Sequence, residues 1–383
     1  MNYKSTLKSS VAAAALFAIA APVAPSVNAA DDTLKSGNKN SLSISGQIVR
    51  TLWYGDDGQS EQVFQTDGGI TSSRVRWVAK GTVNENVTAG ATLELNAPAS
   101  NASNSMKLNN GTGPTGGTDN ATTSSWGVRH QFVWVNHKRM GKISLGQTNS
   151  ASNGRSETTF SGVNMTADSG GVTHGGGLTF IDTTGGSPSI SAVQVRSVFT
   201  NNDGRSRTDV LRYDTPRFSG LALATSMHAG GSYDLAADYR WKNGPIKFRA
   251  QGQYNNISSV SANSEDGWSV SVAGLHDSGF NGAVSIGKSS RAEAGDAKHW
   301  DFDVGYRAKI FGVGSTNFSF NMNETEDLFA RDSDATSTGV AVAQIFDSVG
   351  ASMAIAYKNY SYDTDTNTFE DIDVLSLQTV FKF

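Results

Sequence analysis

Residues 372–383 alternate with a period of two. Leu375, Leu377, Thr379, Phe381 and Phe383 fall on one side; Ser376, Gln378, Val380 and Lys382 fall on the other. Successive side chains of a strand point to opposite faces, so this segment has one oily and one mostly polar face, as a strand between lipid and water does. Hydrocarbon cannot satisfy the N–H and C=O groups of an unpaired edge, so a last strand in lipid must pair with the first and close a barrel. The alternative, an edge strand of a soluble sandwich, needs a second sheet to cover Phe381 and Phe383.

The same alternation recurs along the chain. It predicts strands over about 41–53, 72–80, 87–96, 125–136, 142–148, 207–215, 221–229, 232–242, 246–254, 267–276, 280–288, 299–310, 315–322, 338–346, 351–360 and 372–383. The 299–310 segment is the cleanest. Trp300, Phe302, Val304, Tyr306, Ala308 and Ile310 alternate with Asp301, Asp303, Gly305, Arg307 and Lys309. A slip of one residue would turn its charges into lipid, at roughly 2–4 kcal/mol for each basic side chain at mid-membrane. In 125–136 the pattern places Trp126, Val128, Phe132 and Trp134 outward, with Arg129 and Gln131 inward. The expectation is an all-β transmembrane antiparallel barrel of sixteen strands, or eighteen if residues 189–199 hide another hairpin.

Connections alternate between long and short, with one exception at Gly230-Gly231. Short turns on one rim and long loops on the other are the outer-membrane arrangement, with short turns and both termini in the periplasm. Trp134, Trp241, Phe381 and Phe383 are expected in the periplasmic aromatic girdle, and Trp53, Tyr54, Tyr254 and Trp300 in the outer one. The longest irregular stretch, about 149–206, is of a length that is usually functional or disordered.

Composition narrows the picture. Lys4 and Lys8, the apolar run Val11 to Ala20, Pro22, Pro25 and Val27-Asn28-Ala29 read as a secretory signal over residues 1–29, leaving 30–383 as the barrel. No stretch is long and apolar enough for a spanning helix. There is no cysteine, so disulfides, thiolate metal sites and a cysteine nucleophile are excluded. The net charge is −4 and basic clusters are lacking, which gives no reason to expect nucleic acid.

Inward-facing arginines Arg74, Arg76, Arg129 and Arg212 lie on alternate strands of the first half. The 149–206 segment beside them carries Glu157, Asp168 and Asp182. Folded into the lumen, it would set acids opposite bases across a constriction, where charge and width control selectivity. The plainer reading is that the arginines pair with Glu94 and Asp214. The acidic Asp363-x-Asp365-x-Asn367 begins like a calcium loop but has Thr368 and Val374 where glycine and glutamate are needed, so a solvated loop is expected. The six histidines show no metal-ligand spacing. Ser226 and His228 share a face, but neighbours of that kind in a strand lie about 7 Å apart, too far for a nucleophile and its base. No catalytic residue, metal or cofactor is expected.

The chain resembles the general-porin family of Gram-negative outer membranes. The resemblance rests on the signal, Ser73-Arg74-Val75-Arg76, the stretch Arg212-Tyr213-Asp214-Thr215-Pro216-Arg217-Phe218-Ser219-Gly220, the long loop after the fifth strand and the terminal phenylalanine. The loop lacks the Pro-Glu-Phe-Gly-Gly-type motif of the enterobacterial members. The resemblance implies a homotrimer in outer-membrane lipid and lipopolysaccharide, passing ions and small hydrophilic solutes by diffusion. It also implies an inward-folded third loop and a basic wall of Arg74 or Arg76, Arg129 and Arg212. A channel selective for sugar, phosphate or organic acid, and a plugged barrel acting as adhesin or hydrolase, are the alternatives.

Overall fold

The computed structural model describes residues 34–35, 39–68, 71–96, 106, 108, 126–163, 174–257, 266–290 and 295–383. Sixteen antiparallel staves form one closed wall. They are β1 Ser41–Asp56, β2 Arg74–Asn84, β3 Val87–Asn96, β4 Gly127–His137, β5 Gly141–Asn149, β6 Arg207–Asp214, β7 Leu221–His228, β8 Tyr233–Asn243, β9 Ile246–Asn256, β10 Asp266–His276, β11 Phe280–Ser289, β12 Ala297–Ala308, β13 Thr316–Glu326, β14 Ser333–Phe346, β15 Ala351–Thr364 and β16 Ile372–Lys382. β16 pairs with β1, setting Gln47 opposite Lys382 and Asp56 opposite Asp373, so the ends of the sheet meet as the alternation requires. At this seam Gly46 and Phe383 exchange both backbone hydrogen bonds, at 2.7 and 3.1 Å. A Cβ on Gly46 would lie 2.5 Å from the Phe383 ring and 2.6 Å from the Arg74 carbonyl oxygen, so only glycine fits the closure.

The faces of β16 and β12 are as predicted. Asp301 and Asp303 are buried on the inner side, while Phe302 and Val304 stand about 40% exposed on the outer side. Several staves run further than hydrophobic alternation suggests. β13 reaches Glu326, β14 begins at Ser333 and β15 ends at Thr364. Beyond the lipid the outer face is wet, so the ladder continues with polar residues outward, while the inner face meets the infolded segment at Ala335 and Tyr362.

The stretch between the first two expected strands, about 41–53 and 72–80, contains a further strand, Glu61–Thr66. It pairs with the outer half of β1, whereas β2 pairs with Ser41–Gln47. The hairpin suspected near residues 189–199 exists, but Thr179–Asp182 and Ser189–Gln194 pair with each other and stand apart from the wall, so the wall has sixteen staves.

Seven short turns crowd one end of the barrel. Asn84 Oδ1 accepts from the backbone of Asn86 and Val87 at the β2–β3 turn, and His137 Nδ1 does the same for Arg139 and Met140 after β4. Gly279 closes the β10–β11 turn at φ +99, where a Cβ would meet the Arg307 carbonyl oxygen at 2.0 Å.

The main apolar cluster lies inside the barrel. Leu178, Phe180, Val195, Val198 and Phe199 of the 150–206 segment pack on Trp53 of β1, Ala335 of β14, Tyr360 and Tyr362 of β15, and Ile372 and Val374 of β16. Each large side chain buried this way contributes roughly 1.5–3 kcal/mol, which holds the segment against the inner wall. Trp53 is therefore lumenal and 1% exposed, with its ring centroid 4.2 Å from that of His174. Its expected place in the outer girdle is overturned because the infolded segment covers it.

Candidate functional site

The described parts of the long segment, 150–163 and 174–206, lie inside the barrel as a strap, bound to the β7–β16 side by side chains from the wall. Ala151 N donates to Ser226 Oγ on β7 at 2.9 Å. Thr158 bonds Gln251 on β9, and Ser271 of β10 donates to the Arg155 carbonyl at 2.6 Å. Thr159 Oγ1 donates to Asp303 Oδ1 on β12 at 3.0 Å, and Asn317 of β13 reaches the Gly162 carbonyl. Val163 packs among Ala341, Ala343, Ala354 and Ala356. His174 Nε2 lies 2.8 Å from Ser376 Oγ on β16. Apart from Asp303, these inward positions are small or amide-bearing, which leaves room for the strap and supplies its bonds. At the long-loop end the strap's hairpin pairs with the β15–β16 loop through Thr183 N to Thr368 O and Glu370 N to Ile181 O, both 2.9 Å.

Facing the strap, three of the four expected arginines share one carboxylate. Glu94 of β3 is fully buried. Arg74 lies 3.4 Å from it, Arg129 2.8 Å, and Arg76 is in direct contact. The expected pairing with Glu94 therefore takes in three of the four arginines at once. Arg212 stands apart. Its guanidinium clasps Asp214 at 2.6 Å and donates to the carbonyls of Asn149 and Ser150, where the strap leaves β5. A second cluster was not singled out from sequence. Asp238 of β8 is reached by Arg249 at 2.6 Å, Arg217 and Arg240 at 3.1 Å, and Arg155 of the strap at 3.8 Å. The inward alternation of Arg240 and Arg249 was legible; the arrival of Arg155 and Arg217 from two connections was not.

Of the expected acids, Glu157 projects from the strap with its side chain exposed to the lumen, accepting from Asn201 at 3.1 Å. Asp182 does not join it. It sits in the hairpin at the long-loop rim, where hydrogen bonds from Thr184 and Asn367 hold its carboxyl below the ordinary aspartate range. Asp168 and the expected signal lie outside the described residues.

β4 departs from its predicted faces. The register against β3 shifts between Glu94 and Leu95, so Arg129 is an extra residue, a bulge. His130 then sits opposite Glu94, Phe132 opposite Thr92 and Trp134 opposite Gly90, on the lumenal side; Gln131, Val133 and Val135 turn outward. Phe132 and Trp134, expected toward lipid, line the lumen instead, with Lys142 of β5 above them.

Ser226 and His228 also lie closer than their backbone spacing suggests. The imidazole leans back, bringing Nε2 to 3.4 Å from Ser226 Oγ, and both contact Asp234 Oδ2, at 2.7 Å from the hydroxyl and 2.9 Å from the ring. All three are buried, and the hydroxyl holds the backbone of Ala151. The group anchors the root of the strap.

An oily exterior, a charged interior and a strap across the bore define a membrane pore. A family model described as Gram-negative porin matches residues 10–366, and the chain belongs to that family. It is an outer-membrane pore for passive diffusion of ions and small hydrophilic solutes, a channel rather than an enzyme. Solved structures with this fold include an anion-selective porin from Comamonas acidovorans, 13% identical, with a TM-score of 0.59 over 90% of this chain and 100% of that one. In vitro folded OmpT, an outer membrane protein of Vibrio cholerae, gives 14%, 0.57, 92% and 100%. Salmonella typhi OmpF in complex with daunomycin gives 13%, 0.55, 90% and 98%. Comparison with curated proteins finds no match.

Proposed function

We propose that this porin prefers anions, and that Arg74, Arg76 and Arg129 facing the strap form its selective narrows. The observation that supports this is the charge count in two lumenal clusters: seven arginines gather around only two carboxylates, Glu94 of β3 and Asp238 of β8. The excess positive charge faces the open bore, where it raises the local concentration of anions. Arg212 contributes less, being spent on Asp214 and on the strap's root. Glu157 is the acid that moderates the field from the strap. Reversal potential in a KCl gradient tests the reading: a potential of chloride sign supports it, and one of potassium sign defeats it.

The orientation belongs to the same reading. The short-turn end and both termini face the periplasm, residues 1–29 serve as the export signal, and the outer staves contact lipid and lipopolysaccharide. The pore is a homotrimer. An apolar groove of about 350 Å³ on the outer face of β1–β5, lined by Leu42, Trp77, Ala79, Ala91, Leu93, Val133 and Leu145, offers a seat for a neighbouring copy; one of the structures sharing the fold is described as a trimer form. Cross-linking in detergent should stop at three chains.

A further inference from the structure

The geometry points to a binding subsite for aromatic carboxylates on the lumenal wall below the arginines, formed by Phe132, Trp134 and Lys142. The inference rests on the anion reading and names the class of anion.

Phe132 and Trp134 are lumenal only because Arg129 is bulged out of the ladder. The two rings stand on residues that leave them room. Trp134 lies over Gly90, where a Cβ would come within 2.5 Å of the indole, and Phe132 is opposite Gly146, where a Cβ would come within 3.2 Å of the Phe132 Cβ. The rings therefore rest against the wall, and both are partly exposed. The ammonium of Lys142 is held at 5.4 Å from the Phe132 centroid and 5.3 Å from that of Trp134. Among the described residues, no carboxylate lies within 4.0 Å of it. Asp214, its partner across the ladder, is taken by Arg212.

A cation fixed over two rings, whose neighbouring carboxylate Asp214 is clasped by Arg212, offers both halves of a recognition site. An arene gains by stacking or edge contact with Phe132 or Trp134, roughly 0.5–1.5 kcal/mol beyond area burial. Its carboxylate gains a charge-assisted bond to Lys142. The position suits an anion already drawn to the arginines. Phe132 is three residues along β4 from Arg129, about 10 Å at strand rise. A benzoate leaving the arginines meets the rings next. An aliphatic carboxylate such as acetate finds the charge and nothing for the rings to hold.

The test is solute block of the intact wild-type pore in planar bilayers, with acetate, cyclohexanecarboxylate and benzoate compared at one pH and ionic strength. Benzoate should interrupt the current at concentrations about tenfold below acetate, with cyclohexanecarboxylate between. Trp134→Leu and Phe132→Leu should each remove most of that preference. Lys142→Met should weaken block by all three while keeping their order. Only inserted, conducting pores are read, so a misfolded variant gives no signal; Phe132→Leu and Trp134→Leu are independent of each other. Equal block by acetate and benzoate, or benzoate block that survives both leucine variants, overturns the site. KCl reversal potential measured on the same channels reports anion preference separately, and the leucine variants should leave it unchanged.

Discussion

Arg129 Nε lies 2.8 Å from Glu94 Oε1, and this ion pair is formed by the one residue that breaks the ladder between β3 and β4. The bulge thus does two things. It adds a third guanidinium to a buried carboxylate, and it exchanges the faces of everything that follows on β4.

Removing Arg129 should change selectivity without closing the pore. Arg129→Ala takes one positive charge from the bore and leaves Glu94 paired with Arg74 and Arg76. In a hydrated lumen a unit charge at contact distance is worth about 1–4 kcal/mol, and salt screens it further. The chloride-to-potassium permeability ratio should fall by a factor of about two to five. Reversal potential in dilute KCl gradients checks this; an unchanged ratio would place the narrows elsewhere.

Glu94→Gln acts in the opposite sense. Three guanidiniums lose their shared counter-charge, so the bore becomes more anion-selective and the wall less stable. Losing one partner of a fully buried pair costs about 3–5 kcal/mol. Arg76 is nearly half exposed and water relieves part of the repulsion, so the loss should fall below that range. Urea titration of the folded barrel, followed by its gel mobility without heating, measures the loss. A variant as stable as wild type would show that the cluster is not held by its carboxylate.

Ser226→Ala should loosen the strap. Its hydroxyl accepts from Ala151 N and donates to Asp234, both in buried surroundings. A buried donor left unsatisfied costs about 1–3 kcal/mol, small beside the barrel's own stability but large for a segment tied by single bonds. Open-channel current noise should rise while the unfolding midpoint shifts little. Quiet channels would mean that the other ties suffice.

Gly46→Val tests the seam. With the Phe383 ring and the Arg74 carbonyl already within 3 Å of where a Cβ would stand, the added methyls must displace backbone. Overpacking of this kind costs about 1–3 kcal/mol. Assembly should slow and the unheated folded band should weaken. Gly127→Val, where nothing lies within 4 Å of the added carbon, is the control.

Much of the wall was legible because lipid on one side and water on the other write a period of two into every stave. Leu375 to Phe383, Trp300 to Tyr306 and Arg74 to Trp77 read correctly for that reason. Phe132 and Trp134 did not, since an inserted residue leaves no mark in composition: the alternation on each side of Arg129 is sound, and only the phase differs. Trp53 misled differently. An aromatic ring near a strand end suits an interface, but here partners more than a hundred residues away, His174 and Leu178, cover it from inside. The strap's bonds join positions such as Thr159 and Asp303, whose pairing no local pattern announces. Arg74, Arg76 and Arg129 could be grouped from strand parity. The Asp238 cluster needed the paths of two connections.

The strap is fastened to staves β7–β16 through hydroxyls, amides, alanines and the Asp303 carboxylate, whereas Arg74, Arg76 and Arg129 belong to β2–β4. The strap's ties and the Glu94 cluster thereby fall to largely separate residues, while Arg155 and Asp303 belong both to the strap's ties and to the charged interior. Mutations in the Glu94 cluster need not shift the obstruction, and changes to the hydroxyl and amide anchors need not alter the field. A lineage could adapt to a new mixture of solutes one property at a time.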